Sequence, residues 1–140
     1  MRTRKNSKIL ETSLNNEGIL RLNLNCPENS NALSENMIDL IRKNIDRAGS
    51  DKRVRVIIIS SEGSTFSSGH DLKEMKLARG NADKGKIFFK KIMKKCSNMM
   101  QAIINNPKPV IAEIGGTATA AGCQLVASCD LAYANKIAKF

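Results

Sequence analysis

The sequence predicts an α/β fold, and three observations lead there. The run "VIII" at 56 to 59 is β-branched without a polar interruption, segments on either side of it carry apolar residues at helical spacing, and two glycine-rich loops each follow a strand and open a helix. Parallel strands need crossover connections, so helices interleaved with buried strands imply a sheet that is at least partly parallel. With 140 residues, 41% of them hydrophobic, the chain has the size of one domain with its own core.

From Ile9 to Asn25, "ILETSLNNEGILRLNLN" reads as two strands around an "NNEG" turn, the second presenting Ile19, Leu20, Leu22 and Leu24. "CPENSNALS" breaks that pattern with Pro27 and its asparagines and serines, and Ser34 is a suitable N-cap for the next helix. In "ENMIDLIRKNIDRA", Met37, Leu40, Ile41, Asn44, Ile45 and Ala48 form one stripe, and Gly49 is expected to close the helix. "VRVIIIS" (54 to 60) reads as a strand buried on both faces.

Beyond the "SEGSTFSSGH" loop, Asp71 is expected to start a short helix, and Asn81 or Asp83 to cap a longer one. Phe89, Ile92, Met93, Cys96, Met99, Met100 and Ile103 line one side of that helix, with lysines opposite. Pro107 and Pro109 end it, because proline cannot continue the hydrogen-bond ladder. "VIAEI" is a second buried-type strand leading into the loop "GGTATAAG". "CQLVASC" then reads as a short helix and "DLAYAN" as the last strand. That strand would lie bare at the end of the sequence, so the covering part of the fold is expected beyond Phe140. The chain thus divides into a basic tail, 1–8, and a partial domain, 9–140.

The net charge of +10 makes the surface attractive to phosphates on nucleic acid, on lipid or on a phosphorylated cofactor, or simply well solvated. Much of it sits in "MRTRKNSK" and between Lys84 and Lys95. The first stretch is compatible with the stub of an organelle-targeting segment or with a solvated terminus, and no apolar signal core follows it. No apolar run reaches the length of a membrane span. With only five aromatic residues, four Phe and one Tyr, stacking platforms for nucleic acid are lacking. Cys26, Cys96, Cys123 and Cys129 form no CxxC pair and have no histidine at metal-ligand spacing, so they are read as reduced packing thiols and no metal is predicted.

Neither glycine loop is a nucleotide motif: "GSTFSSG" lacks the lysine and hydroxyl of a P-loop, and "GGTATAAG" does not fit GxGxxG. His70, the single histidine, lies in "SSGHD", which is no nucleophile elbow.

Taken together, "NALS" (31 to 34), "VIIISSEGSTFSSGHDLKEM" (56 to 75) and "KPVIAEIGGTATAAGCQLVASCDLAYA" (108 to 134) resemble the three successive signatures of the crotonase, or enoyl-CoA hydratase/isomerase, superfamily, in order and in spacing. The resemblance implies a ββα spiral, here cut before its C-terminal helical region, that binds an acyl-coenzyme A thioester in lipid or fatty acid metabolism. It implies no covalent cofactor, since coenzyme A is part of the substrate, and a trimer-type homo-oligomer for the full-length fold. It also implies a mitochondrial location, with the cytoplasm as the alternative.

In that family two backbone N–H groups form an oxyanion hole, and the matching positions here are His70 and Ala121, flanked by Gly69 and Gly122. The resemblance further places Ala32, Ser68, Asp71 and Leu72 along the coenzyme A channel and Asn31 and Leu33 at its mouth. Hydratases of the family work with two glutamates. Gln124 stands at the first of these positions, and its amide can orient water but cannot take a proton at neutral pH. The second would fall beyond Phe140. Hydratase chemistry is therefore in question, and the alternative is a non-enzymatic basic module or inactive fragment binding phosphate-bearing partners. Glu113, a carboxylate within "VIAEI", is expected to be paired or solvated rather than a relocated base.

Overall fold

The computed structural model describes residues 8–140. The basic tail therefore lies outside the described residues except for Lys8. Strands β1 (Leu10–Leu14) and β2 (Ile19–Leu24) form the expected antiparallel hairpin. Its turn is held by the Asn15 side chain, which accepts from the N–H groups of Glu17 (3.1 Å) and Ile19 (2.8 Å). A short 3-10 turn, Pro27–Asn29, leads to helix α1 (Glu35–Ser50), whose N-cap Ser34 accepts from Met37 N–H. There follow β3 (Val56–Ser61), β4 (Thr65–Ser67), α2 (Leu72–Ala78), α3 (Lys86–Ile104), β5 (Val110–Ile114), β6 (Thr117–Ala118), α4 (Ala121–Ser128) and β7 (Leu131–Ala134).

The main sheet has the order β1-β2-β3-β5-β7, parallel throughout except for the hairpin. Alternation along its strands sends Leu22, Leu24, Ile57, Ile59, Val110 and Ala112 to one face, all fully buried. There they meet Ile38, Ile41 and Ile45 of α1 and Ile92, Met99 and Ile103 of α3 in one continuous core.

The opposite face departs from expectation, because β3 is not buried on both sides. Val56 and Ile58 are only half-buried, and the row beside them is polar, with Arg21 of β2 forked onto Glu113 of β5 at 3.0 and 3.2 Å. Glu113 is thus paired, as expected. The bare last strand is also borne out, with all four residues of β7 exposed.

Helix ends differ in detail. Gly49 lies inside α1, which runs on to Ser50 with Asp51 as its C-cap. Helix α3 starts after Gly85, not at Asn81 or Asp83, although the Asp83 carboxylate still accepts from Gly85 N–H (3.0 Å) and Ile87 N–H (2.8 Å). Hydrogen bonds to those amides hold the Asp83 carboxyl below its ordinary range. Met93, expected in the apolar stripe, is 46% exposed, because the stripe of a straight helix drifts away from it toward Ile92 and Cys96. Among the described residues no helix is long and apolar enough to cross a membrane.

Candidate functional site

Two strands that read as loops create the site. β4 and β6, three and two residues long, pair in parallel through Thr65 with Thr117 and Ser67 with Ala118. This brings the chain after β4 against the chain after β6. Thr119 N–H donates to the Ser67 carbonyl at 3.0 Å. The seam leaves no space for side chains: a Cβ on Gly122 would stand 2.2 Å from the Ser67 carbonyl oxygen. Gly69 (φ +89°) has the left-handed backbone that glycine permits, and a Cβ there would stand 3.0 Å from Ala121 N.

The seam exposes two backbone donors. Among the described residues neither His70 N–H nor Ala121 N–H has an acceptor. For His70 the reason is the planar peptide that joins it to Gly69: Leu33 N–H donates to the Gly69 carbonyl at 2.7 Å, so the trans N–H of that unit points the other way. For Ala121 it is helix geometry, since this residue begins α4 and the first amides of a helix have no intrahelical partner. Ala120, just before it, holds φ 50° and ψ −126°, a conformation that favours glycine. Donors of this kind on abutting loops, one of them at the positive end of a helix, can stabilise an oxygen that carries or gains negative charge.

The first loop is braced by side chains. Asn31 is fully buried, accepts from Cys26 N–H (2.8 Å) and donates to the carbonyls of Glu62 and Thr65 (both 2.8 Å). Asn29 donates to Asp71 at 2.7 Å, and the other Asp71 oxygen caps α2 by accepting from Lys73 N–H at 2.8 Å. Glu74 reaches from α2 to Glu35 N–H at the start of α1 (2.9 Å). Ser68 N–H donates to the Ser30 carbonyl at 3.1 Å. The bracing roles of Asn29, Asn31 and Glu74 were not visible in the sequence; "NSN" before "ALS" was a turn signal and no more.

The His70 ring is partly buried, its Nε2 has no hydrogen-bond partner, and burial pushes the imidazole below its ordinary value of 6.5. This ring adjoins the amide that has no acceptor. Asn31 and Leu33, expected at the mouth of a channel, are both fully buried, so they offer a bound molecule backbone shape and no side-chain contact. Ala32 is 7% exposed, Ser68 and Asp71 are half-buried, and Leu72 is 75% exposed at the start of α2. Gln124 is exposed on α4, one turn beyond Ala121.

A separate hollow of about 500 Å³ on the polar face of the main sheet, between Glu11, Arg21, Ser61 and Glu113, shares no residue with this seam. All four cysteines are free thiols, and burial, aided by Asp130, raises the Cys129 thiol to about 12.

Against known proteins, residues 14–140 match the family model described as enoyl-CoA hydratase/isomerase. The chain is 48% identical over 123 residues to the mitochondrial enoyl-CoA hydratase domain-containing protein 3 of Xenopus laevis, covering 88% of this chain and 40% of that protein. Over 140 residues it is 36% identical to human mitochondrial methylglutaconyl-CoA hydratase, covering 99% of this chain and 40% of the relative. Among solved structures, human enoyl-CoA hydratase domain-containing protein 3 superposes with a TM-score of 0.82 at 41% identity, covering 91% of this chain and 48% of that one. An enoyl-CoA hydratase of Mycobacterium smegmatis gives 0.86 at 39% identity, covering 94% and 49%. The chain therefore spans about two fifths of the length of the curated relatives it matches. Its fold is the crotonase fold expected from the three signatures, and the chain belongs to the enoyl-CoA hydratase/isomerase family.

Proposed function

We propose that this chain binds an acyl-CoA thioester and polarises its carbonyl between the N–H groups of His70 and Ala121, without the proton transfers of a hydratase. The observation that carries this reading is the pair of backbone donors without acceptors on two abutting loops. Such donors, fixed before the ligand arrives, stabilise developing negative charge without reorganising, an effect worth roughly 3 kcal/mol per donor. The N-terminal end of α4 adds a partial positive charge in the same direction. In this reading the thioester passes Ala32, Ser68, Gly69, Asp71 and Leu72, and Gly122 keeps α4 close enough for its first amide to reach the oxygen.

What is lacking is a base. Gln124 is neutral at every physiological pH. Asp71 is engaged by Asn29 and by the amides of α2, and Glu113 by Arg21. The His70 Nε2 is enclosed and does not face a water it could activate. Among the described residues, none of these four groups is placed to activate water on a polarised enoyl thioester. The mitochondrial relatives support the same compartment for this protein.

A conjugated dienoyl-CoA tests the reading, because polarisation of its carbonyl moves its absorbance to the red. Titration of the folded chain is expected to give saturable binding with a red shift, and crotonyl-CoA is expected to be hydrated no faster than background. The variant Ala121→Pro removes one donor at a helix position where proline is tolerated. It is expected to abolish the shift. A folded chain that ignores both thioesters, or one that binds them with an unshifted spectrum, would refute the proposal.

A further inference from the structure

We propose that the surface made by α2, the connection 79–85 and the first turns of α3 docks on an anionic lipid bilayer. Three observations meet there. Leu77 and Ile87 are 78% and 76% exposed, far beyond what an isolated surface leucine needs. They flank one point of close contact, because a Cβ on Gly85 would lie 3.2 Å from the Ala78 carbonyl oxygen, so the end of α2 rests on the start of α3. Beside them, a hollow of about 480 Å³ lies between Ala82, Asp83, Ile87 and Phe88.

Around these aliphatic tips stand Lys73, Lys76, Arg79, Lys86, Lys90 and Lys94, all exposed and, among the described residues, none in an ion pair. The lysines of α3 on the side of α1 behave differently: Lys91 pairs with Glu35, and Lys95 with Glu35 and Asp39. The acids within the surface are engaged with backbone amides, Glu74 with Glu35 N–H and Asp83 with Gly85 and Ile87 N–H. The result is uncompensated positive charge around protruding aliphatic side chains. Anionic headgroups match the charge and the acyl boundary beneath them accepts the aliphatic tips, the pattern of a helix that lies on a membrane surface.

Nucleic acid fits less well, because the aromatic residues here are not free to stack. Phe88 and Phe89 are half-buried and meet edge to face at 6.3 Å, and Lys91 covers the Phe88 ring at 5.4 Å. The surface begins at Leu72, two residues after His70, so a docked chain would hold the seam beside the bilayer.

Co-sedimentation of the full chain with vesicles tests this, using phosphatidylcholine alone and an equal mixture with phosphatidylglycerol. Binding to the mixture and not to phosphatidylcholine is expected, weakening as salt is added. Two paired variants, Leu77→Asp with Ile87→Asp and Lys90→Glu with Lys94→Glu, are each expected to weaken it roughly tenfold or more. A control that matches the charge change of the lysine pair and exceeds that of the aliphatic pair, Lys43→Glu with Lys52→Glu, is expected to stay within about twofold of the parent. All three have exposed side chains, and circular dichroism checks that each folds. No binding to the mixture, equal loss in the control, unchanged binding in both paired variants, or retention on a polynucleotide but not on vesicles would each overturn the proposal.

Discussion

The two loops that meet at the seam reach similar backbone positions by opposite means. The loop after β4 is held by side chains: Asn31 clamps three backbone groups, Asn29 holds Asp71, and Asp71 caps α2. The loop after β6, "TATAAG", contains almost no side chain able to hold anything. It is fixed by the lack of side-chain bulk, with Gly122 against Ser67 and, just before β6, Gly116 against Ser64. One loop should therefore fail when a side chain is removed, the other when a methyl group is added.

The sharpest way to break the comparison is Gly122→Ala. Its Cβ would meet a backbone carbonyl at 2.2 Å, which no rotamer change relieves, so a loss of about 3 kcal/mol is expected in chemical denaturation. If the variant keeps the parent's stability, the second loop is not fixed by close approach. Next comes Asn31→Ala, which leaves the Cys26 N–H and the Glu62 and Thr65 carbonyls without their partner in a buried place. About 2 kcal/mol should be lost, read by the same denaturation, and the His70 loop should lose thioester affinity while the Ala121 loop keeps its amide protection.

A smaller effect of opposite sign sharpens the contrast. Ala120→Gly relieves the conformation at φ 50°, ψ −126° and should stabilise the chain by about 1 kcal/mol, visible as a raised thermal midpoint. The smallest effect concerns the His70 ring. Its folded-state pKa lies below its unfolded value of 6.5, so the unfolded chain binds more protons as pH falls through that region. Stability is full above about 6.5 and declines below it. His70→Gln should flatten this slope while preserving the dienoyl-CoA red shift, since the amide is unchanged. Loss of the shift would assign the ring a part that the amide alone does not explain. Glu35, held below its ordinary 4.5 by hydrogen bonds from Lys95 and then Lys91, adds a second decline at lower pH in both chains.

Long elements were legible because their chemistry repeats. Helix α1 and the core side of α3 follow from apolar spacing, β3 from its unbroken apolar run, and β5 from a short, largely apolar run between prolines and glycines. β4 and β6 were not, since "TFS" and "TA" have neither length nor alternation, and their pairing is a property of the assembled fold. The outer face of β3 was misread for a related reason: an isoleucine run cannot show that its two neighbouring strands, β2 and β5, supply Arg21 and Glu113 to that face. At the site, the glycine loops were visible, and family likeness pointed to His70 and Ala121, whose amides lack acceptors among the described residues. The clamp that Asn31 provides was not visible, because a sequence does not reveal which asparagine the backbone will enclose. Cap signals at Ser34 and Asp71 depend only on neighbours in the chain, and both were read correctly.

The contact between Thr119 and Ser68 joins residues 51 positions apart, with α2, α3, β5 and β6 between them. No local event in folding can build this joint, because its two sides come together only after the intervening chain has closed on itself, an entropic cost met before any contact is gained. The seam should therefore be among the last features to form and among the first to open in a transient fluctuation. The exchange rate of the Thr119 amide, bonded across the seam to Ser67, would time both events.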